Sequence, residues 1–413
     1  MSFANIYCWQ DSYCSQIAHW HGWLLIRFTI DNHTTYMQPI GSGDIAEVID
    51  ALAADAHSLG QPLRLFGLSD KWQQSLESLY PEQFAFHASA ANADYIYLSE
   101  DLATLPGRKY QPKRNFINRF VSRYSYRFEP ISEANLADCI DCNHRWCEEK
   151  GIKCNCTEQQ AIIRFFDHFH TLPLEGWILY ADNAPAAFAI GSAINHDTFC
   201  IHIEKTIGGI EGAAAMINNL VAVELRERYK FINREEDLGI EGLRRAKQSY
   251  YPVELLQKYA ALKLTDAEQQ MRQLWQRTFG DSRADVDHFL VRIYNPQLCL
   301  THSQEGSVVA MLHIVPLSDN HSCSAYIYAV ATDTAYRNRG FASTLLKQAI
   351  ERIERSKEYD RIVLIPASDA LAAYYAKFGF ESNGELLNFS QYGFDYDLGT
   401  GNAEQDFAVV RKI

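Results

Sequence analysis

Apolar and polar positions alternate along much of the first forty residues, a period typical of strands with one buried face. The alternation is clearest over residues 18–20 and 23–30, where aromatic side chains are frequent. Gly22 and the pair Asp31-Asn32 separate these runs and are residues that favour turns. The pattern predicts that the chain begins with antiparallel strands.

The period then lengthens to that of an amphipathic helix over residues 44–59, with Gly60 just past its end. The same reasoning predicts helices over residues 133–150, 157–170 and 212–229, and strands over residues 94–98, 177–190 and 198–203. Since helices and strands are interspersed, we expect an α+β fold of mixed sheets flanked by helices.

A second series of elements begins after residues 260–265, a junction without a Pro, Gly or Ser tract. Thr265 and Glu268 form a capping box, which predicts a helix start. The predicted elements are, in order, helices over residues 265–279 and 282–293, strands over 298–302, 308–315 and 325–332, a helix over 340–356, a strand over 361–365, a helix over 369–378 and terminal strands through 410. We therefore divide the chain into residues 1–260 and 261–413.

The most informative segment joins the third of these strands to the following helix. It places Arg337, Arg339 and Gly340 in a turn immediately before the helix. The first N–H groups of a helix have no intrahelical partner, and the helix dipole adds positive charge there, so such a turn suits a pyrophosphate. The order Arg-x-x-Gly-x-Ala after a strand resembles the coenzyme-A signature of the GNAT acyltransferase superfamily.

This resemblance implies a GNAT fold, acetyl-CoA or another acyl-CoA as co-substrate, and two sets of cofactor-binding residues. The strand would hold pantetheine through its backbone, and the turn would hold the pyrophosphate. The implied residues are Val330, Ala331 and Thr332 in the strand and Arg337, Asn338, Arg339, Gly340, Phe341, Ala342 and Ser343 in the turn. Asn338 and Ala342 stand where many members have glycine, a mild departure.

A second motif lies at residues 372–380, Ala-Ala-Tyr-Tyr-Ala-Lys-Phe-Gly-Phe. It resembles the GNAT segment whose tyrosine donates a proton to departing coenzyme A, and the spacing matches Tyr375 better than Tyr374. A phenol can protonate a thiolate at small cost. The base that deprotonates the amine stays open between Asp333, Glu305 and water.

Residues 1–258 resemble the soluble catalytic domain of lysyl-phosphatidylglycerol synthases. Its motifs occur in order at residues 95–127, 201–205 and 232–250. The resemblance implies two GNAT-like halves, with a break near residues 125–132, and membrane-bound members move an amino acid from aminoacyl-tRNA to lipid. The apolar runs here are too short for a membrane span, so a lipid acceptor is in doubt.

Residues 108–127 form a basic segment with no acidic residue and with several aromatic residues interleaved. Its basic residues are Arg108, Lys109, Lys113, Arg114, Arg119, Arg123 and Arg127. Lys109, Lys113, Arg114, Arg119 and Arg123 are the predicted anion or tRNA patch; the alternative is a solvated helix paired with acidic loops. Position 211 is Glu, whereas relatives tend to carry a basic residue there, and this argues against binding of an anionic donor.

Composition sets the remaining expectations. The net charge is −13, which disfavours nucleic acid and anionic membranes on average. With no secretion signal we expect a cytoplasmic protein and reduced thiols among its ten cysteines. Cys139 and Cys142 lie on one predicted helix without the paired spacing of a zinc knuckle, so packed thiols are expected and no metal.

The sequence thus predicts an acyl-CoA-dependent N-acyltransferase that transfers acetyl from acetyl-CoA to an amine of a small molecule or peptide. Two alternatives remain open. The N-terminal part would carry out aminoacyl-tRNA-dependent aminoacyl transfer, or the chain would be a non-catalytic sensor of acyl-CoA or an amino acid. The oligomeric state is left unassigned.

Overall fold

The computed structural model describes residues 2–30, 32–153, 156–319, 322–392, 394, 398–399 and 406–413. It divides into two compact units. The N-terminal unit comprises Met1–Gln73 and Ala88–Ala260, and the C-terminal unit comprises Gln74–His87 and Ala261–Ile413.

The first part of the chain contains, in order, α1 (Phe3–Cys8), α2 (Gln10–Tyr13), β1 (Gln16–Trp20), β2 (Trp23–Ile30), β3 (His33–Met37), β4 (Ile40–Gly41), α3 (Ile45–Ser58), β5 (Arg64–Leu68), α4 (Asp70–Leu79), β6 (Phe84–Ala88), β7 (Asp94–Leu98), α5 (Ser99–Thr104) and α6 (Gln111–Arg123). It continues with β8 (Tyr126–Pro130), α7 (Leu136–Lys150), α8 (Thr157–Asp167), β9 (Glu175–Ala181), β10 (Ala184–Ala193), β11 (Thr198–Thr206), α9 (Ala213–Leu225), β12 (Phe231–Asn233), α10 (Glu241–Gln248), β13 (Glu254–Leu256) and β14 (Tyr259–Lys263). The last part contains α11 (Asp266–Phe279), α12 (Arg283–Arg292), β15 (Cys299–Gln304), β16 (Ser307–Ser318), β17 (Cys323–Thr332), α13 (Phe341–Ser356), β18 (Arg361–Leu364), α14 (Asp369–Ala376), β19 (Glu381–Leu386) and β20 (Phe407–Lys412).

The α+β class is confirmed, because mixed sheets are flanked by helices in both units. In the N-terminal unit, β1, β2 and β3 are antiparallel neighbours, and β5 pairs in parallel with β3. A separate seven-stranded sheet has the order β13-β7-β12-β11-β10-β9-β8. One of its faces is covered mainly by α5, α6 and α9, the other by α1, α7 and α8. Strand β7 belongs to this sheet. The sequence predicts a break between two halves near residues 125–132, so β7 lies before that break in the chain but pairs with strands that follow it.

Two local predictions in the N-terminal unit were wrong. Residues 3–13 form the short helices α1 and α2 rather than strands, because Ala4 and Cys8, four residues apart, are buried together on one helical face. Residues 177–190 form two strands rather than one, because Asp182 and Asn183 adopt left-handed backbone angles and turn the chain.

The C-terminal unit contains a six-stranded sheet with the order β15-β16-β17-β18-β20-β19. Helices α13 and α14 pack on one side of it, where Leu346, Ala349 and Tyr375 join the apolar core. The predicted capping box is present: the Thr265 hydroxyl accepts from the Glu268 N–H, and the Glu268 carboxylate accepts from the Thr265 N–H. Helix α11 therefore begins where the sequence indicates.

Residues 74–87, assigned to the N-terminal part by sequence, group with the C-terminal unit instead. The fully buried Arg272 guanidinium explains this grouping. It donates to the Phe84 carbonyl at 2.9 Å and forms ion pairs with Glu82 at 2.7 Å and Asp287 at 3.0 Å. Burial of a charge is tolerated only with such partners. This segment therefore completes the core of the C-terminal unit.

Candidate active site

Strand β17 is bent at the place where the sequence predicts pantetheine binding. Its pairing with β16 runs from Cys323 to Tyr328, then shifts by one residue before it resumes at Ala331. Ala329, within the shift, has a positive φ of 50°. A β-bulge of this kind bends a strand and changes its direction.

The bend takes β17 away from its other neighbour. Parallel pairing with β18 ends at Tyr326, opposite Val363, among the described residues. Beyond that point one edge of β17, including Val330, Ala331 and Thr332, has no neighbouring strand in the part of the chain that the structure describes. Free N–H and C=O groups on such an edge can pair with an extended ligand. The predicted pantetheine residues therefore lie on an open strand edge.

The turn after β17 presents the N-terminus of α13. Asn338 and Gly340 both adopt left-handed backbone angles, with φ of 64° and 85°. Gly340 is the N-cap residue of α13, and no side chain caps that end. The N–H groups of Phe341, Ala342 and Ser343 are therefore those of an uncapped first turn. A Cβ at Gly340 would meet nothing within 4 Å, so the space in front of the turn is open.

Two guanidinium groups flank this turn without an acidic partner in the described part of the chain. Arg337 Nε lies 3.4 Å from the Thr332 carbonyl, and Arg339 Nη2 lies 3.3 Å from the Ala335 carbonyl. Both arginines are exposed. An uncapped helix start beside two unneutralised guanidinium groups is an arrangement that attracts a multiply charged phosphate.

The two tyrosines of α14 have different surroundings. Tyr375 is 7% exposed and packs in the core of the C-terminal unit near Phe380. Burial raises the pKa of Tyr375 to about 12, and Tyr374 contributes a smaller increase. The Tyr374 hydroxyl instead lies 2.8 Å from the Ser343 hydroxyl in the first turn of α13. Tyr374 is therefore the tyrosine that directly contacts the first turn of α13.

Of the two carboxylates considered as bases, Asp333 is already engaged. Its Oδ1 accepts from the Ala335 N–H at 3.0 Å, and its Oδ2 pairs with Arg277 at 3.3 Å. Glu305 is exposed in the tight turn between β15 and β16, with a φ of 51°. Neither arrangement identifies a base for the amine.

In the N-terminal unit, residues 233–237 take part in a largely buried ion-pair network. Arg234 pairs with Glu204 at 2.9 Å, and Asp237 accepts two hydrogen bonds from Arg244. The Arg244 hydrogen bonds are the main reason that the pKa of Asp237 is lowered to about 2. Elsewhere in the network, Lys258 bridges Asp94 and Glu236, each at 2.7 Å.

The basic segment lies on α6 and the turn before it, and most of its charges have local partners. Lys109 lies over the Tyr110 and Tyr251 rings. Lys113 donates to the Ser249 hydroxyl at 2.7 Å, and Arg114 donates to the carbonyls of Leu105 and Gly107. Three of the five residues of the predicted patch, Lys109, Lys113 and Arg114, thus contact groups of the protein itself.

Glu211 neutralises the other two residues of the patch. Its carboxylate oxygens lie 2.8 Å from Arg119 and 3.8 Å from Arg123. Beside this ion pair is an open concavity of about 450 Å³ on the outside of α6. Its lining residues are Arg108, Gln111, Pro112, Asn115, Phe116 and Arg119.

The cysteines of α7, including the predicted Cys139 and Cys142, are packed in the interior, whereas the following Cys156 is partly exposed. Cys139, Cys142 and Cys147 are buried on α7, and burial raises the pKa of the Cys142 thiol to about 12. Cys154 lies outside the described residues. A different group, Cys200, His202 and Glu235, brings three possible ligand atoms within 4.8 Å of one another. Sequence reasoning missed it, although Cys-x-His on a strand places both side chains on one face.

Over the part of the chain that the structure describes, none of the helices combines the length and apolar character that crossing a membrane requires.

A bulged strand followed by an uncapped, arginine-flanked helix start is the arrangement that the resemblance to GNAT acyltransferases predicts. The chain belongs to the family described as phosphatidylglycerol lysyltransferase, C-terminal, which matches residues 1–262, and residues 268–380 match the acetyltransferase (GNAT) family. The two predicted families are thereby confirmed, and the protein is a transferase enzyme. No curated protein matches the chain.

Two solved structures illustrate the similarity. A conserved protein of unknown function from Bacteroides thetaiotaomicron VPI-5482 is 41% identical with a TM-score of 0.62, over 64% of this chain and 90% of that chain. The L-PGS from Bacillus licheniformis is 15% identical with a TM-score of 0.50, over 64% of this chain and 87% of that chain. At that identity the second similarity shows the fold alone.

Proposed function

We propose that the C-terminal unit transfers an acetyl group from acetyl-CoA to an amine of a small molecule or peptide. The observation that carries this proposal is the uncapped start of α13 between Arg337 and Ser343. There, two guanidinium groups without acidic partners among the described residues face open space. The unpaired edge of β17 lies directly before this turn and would align the pantetheine arm.

The proposed reaction needs few protein groups, because a thioester already has a good leaving group. The amine nitrogen bonds to the acetyl carbonyl carbon, and the carbon–sulfur bond breaks. The amine loses a proton to solvent or a base, and the departing thiolate takes one from Tyr375. Free backbone N–H groups near the bulge at Ala329 would stabilise the developing oxyanion.

Tyr375 suits the acid role because its burial keeps the phenol protonated. A pKa of about 12 makes this phenol a weaker acid than tyrosine in water. The same apolar surroundings would also disfavour the thiolate, which offsets part of that cost. Tyr374, bonded to Ser343, would instead position the phosphate turn.

The experiment is calorimetric titration of the full chain with acetyl-CoA, comparing Gly340→Glu with Gly280→Glu. Both glycines cap a helix of the C-terminal unit with a left-handed φ, of 85° and 81°, and both face open space. Both substitutions therefore carry similar backbone strain, but only Gly340→Glu places a carboxylate before the proposed phosphates. We expect Gly340→Glu to abolish binding and Gly280→Glu to retain it; equal affinities would reject the site.

Turnover of the two tyrosine variants separates their roles. We expect Tyr375→Phe to lower kcat by about a hundredfold, the usual size of a general-acid contribution, with little change in acetyl-CoA affinity. Tyr374→Phe should instead weaken acetyl-CoA binding with little loss of kcat. The opposite pattern would assign the acid to Tyr374, and full activity of both variants would remove the acid from the mechanism.

A second activity is supported by the concavity on α6. We propose that the N-terminal unit transfers an aminoacyl group from tRNA. Arg108 and Arg119 line this concavity, and Phe116 is 42% exposed beside them, so phosphate contact and base stacking are both available. The family match over residues 1–262 supports the same activity.

Salt-dependent binding of aminoacyl-tRNA to the full chain tests this activity. We expect the double variant Arg108→Ala/Arg119→Ala to bind more weakly and with a smaller salt slope. Arg245→Ala is the matched control, since Arg245 is exposed on α10 and its acidic partner among the described residues is Glu241 in the same helix. Equal weakening in both variants, or no binding by the unmodified chain, would exclude the concavity as a tRNA site.

A further inference from the structure

Strand register brings three potential metal ligands together in the N-terminal unit. Cys200 and His202 are two residues apart on β11 and share a face. Strand β12 runs parallel to β11 with Asn233 opposite Cys200, so Glu235 falls beside His202 just past the end of β12. The cluster therefore follows from the pairing of two neighbouring strands.

The distances within this cluster are short. Glu235 Oε1 lies 2.9 Å from His202 Nδ1 and 3.5 Å from Cys200 Sγ. Cys200 is 3% exposed, and the His202 side chain is 2% exposed. The Glu235 side chain is 25% exposed, so three donors of different chemical type converge in a largely buried place.

We propose that Cys200, His202 and Glu235 bind a divalent ion of the zinc class. Thiolate and imidazole donors favour Zn²⁺ over Mg²⁺ or Ca²⁺, which prefer oxygen. Three protein ligands leave a fourth position in a tetrahedral site. The Asn5 side-chain amide donates a hydrogen bond to Glu235 Oε1 at 2.8 Å.

The imidazole of His202 is held in the orientation that a ligand needs. Its Nε2 lies 2.8 Å from the Ser192 hydroxyl, and Ser192 lies 2.6 Å from the Ser2 hydroxyl. When an ion is bound, the ring proton would lie on Nε2 and be donated to Ser192, so that the Nδ1 lone pair would face the ion. Metal-binding histidines are commonly fixed in this way through the opposite nitrogen.

Glu235 is also fixed, through its backbone. It has a φ of 56°, which is uncommon for a residue with a Cβ. The Glu235 N–H donates to Asn233 Oδ1 at 2.7 Å, and the Lys247 ammonium donates to the Glu235 carbonyl at 3.1 Å. These contacts hold the turn that aims the carboxylate at the cluster before any ion arrives.

The charges balance when the ion is bound. The Cys200 thiol would release its proton to solvent, and the resulting thiolate and the Glu235 carboxylate would together neutralise a doubly charged cation. A neutral buried complex avoids the cost of an isolated charge. The same residues also form a Ser192–His202–Glu235 chain, but Ser192 is 1% exposed and bonded to Ser2, which leaves no access for a substrate.

The test is a titration of the untagged, metal-stripped full chain with Co²⁺, followed by competition with Zn²⁺. We expect a single strong site with a thiolate-to-cobalt charge-transfer band and the visible bands of a tetrahedral ion, both removed by Zn²⁺. Absence of a thiolate band, or binding no tighter than that of a denatured chain, would overturn the proposal.

Three variants locate the ion. Glu235→Gln keeps the size of the side chain and removes its charge, so we expect the affinity to fall at least tenfold. Cys200→Ser should remove the thiolate band. Cys323→Ser is the control, because Cys323 lies in the C-terminal unit and is partly exposed. Loss of the band in Cys323→Ser, with its retention in Cys200→Ser, would place the ion elsewhere and reject the cluster.

Thermal melting gives a readout that does not depend on colour. Because the ion would bind only the folded chain, Zn²⁺ should raise the Tm of the unmodified chain and a chelator should reverse the increase. The increase should be absent in Glu235→Gln. An equal increase in both would indicate an ion bound elsewhere and would contradict the assignment.

Discussion

The turn before α13 and the helix α6 are both rich in arginine, yet they differ in what their charges contact. At the turn, Arg337 and Arg339 contact backbone carbonyls of their own segment, and Arg339 also lies over the Tyr336 ring, but neither has an acidic partner among the described residues. On α6, Arg119 and Arg123 share the carboxylate of Glu211. A basic sequence alone therefore does not show whether its charges are paired, because residues distant in the chain, such as Glu211, decide it.

The largest expected effect removes the unpaired charges. In Arg337→Ala/Arg339→Ala, acetyl-CoA affinity should fall on the order of a hundredfold or more, since each hydrogen-bonded contact to a charged group contributes about 1.5–3 kcal/mol. Calorimetry at low and high salt measures this loss of acetyl-CoA affinity. Arg355→Ala is the control, because Arg355 is at the far end of α13 and pairs with Glu351. A loss of less than about threefold would remove the contrast between the two regions.

An effect of intermediate size is expected when the arginines of α6 lose their acidic partner and so resemble those of the turn before α13. Glu211→Gln frees Arg119 and Arg123, so tRNA should bind more tightly, by roughly tenfold or less, because exposed charge pairs are individually worth about 0.2–1 kcal/mol. Filter binding at fixed salt measures the gain. Glu241→Gln is the control, since Glu241 pairs with Arg245 on α10. If Glu211→Gln binds more weakly, Glu211 supports the site rather than neutralising it.

The smallest expected effect is on stability: we expect Lys113 to stabilise the fold rather than to bind an anion. Burial, with a smaller contribution from Arg234, lowers the pKa of Lys113 to about 8. Between that value and the ordinary lysine pKa of about 10.4, the unfolded chain binds more protons, so Lys113 makes stability rise with pH. Urea unfolding from pH 8 to pH 10 should show a smaller rise in Lys113→Met than in Lys109→Met. An identical rise would place the Lys113 ammonium in water.

The sequence predicted structural elements correctly where the interactions that form them are between residues close in the chain. The capping box at Thr265 and Glu268 involves residues three apart, and strand β7 has the predicted bounds of residues 94–98. The turn before α13 is also local, because a strand, a glycine and a helix follow one another directly. These local features are enough to predict an acyltransferase without knowledge of any tertiary contact.

The features that sequence reasoning missed depend on contacts between distant residues. Cys200 and Glu235 are 35 residues apart and meet only because β11 and β12 pair. The partners of the basic segment, such as Glu211 for Arg119, are 92 residues away. A single sequence shows the charges of such residues but not their neighbours, so it could not decide whether the basic patch was free.

The buried Arg272 has a practical consequence for dissecting this enzyme. A fragment excised at the division predicted from the sequence, beginning at residue 261, would lose the Phe84 carbonyl and the Glu82 carboxylate and keep Asp287 among these partners. Stranding a charge in this way costs about 3–5 kcal/mol, a large part of the stability of a small domain. An inactive excised fragment would therefore say nothing about catalysis unless the peptide covering residues 74–87 were supplied with it.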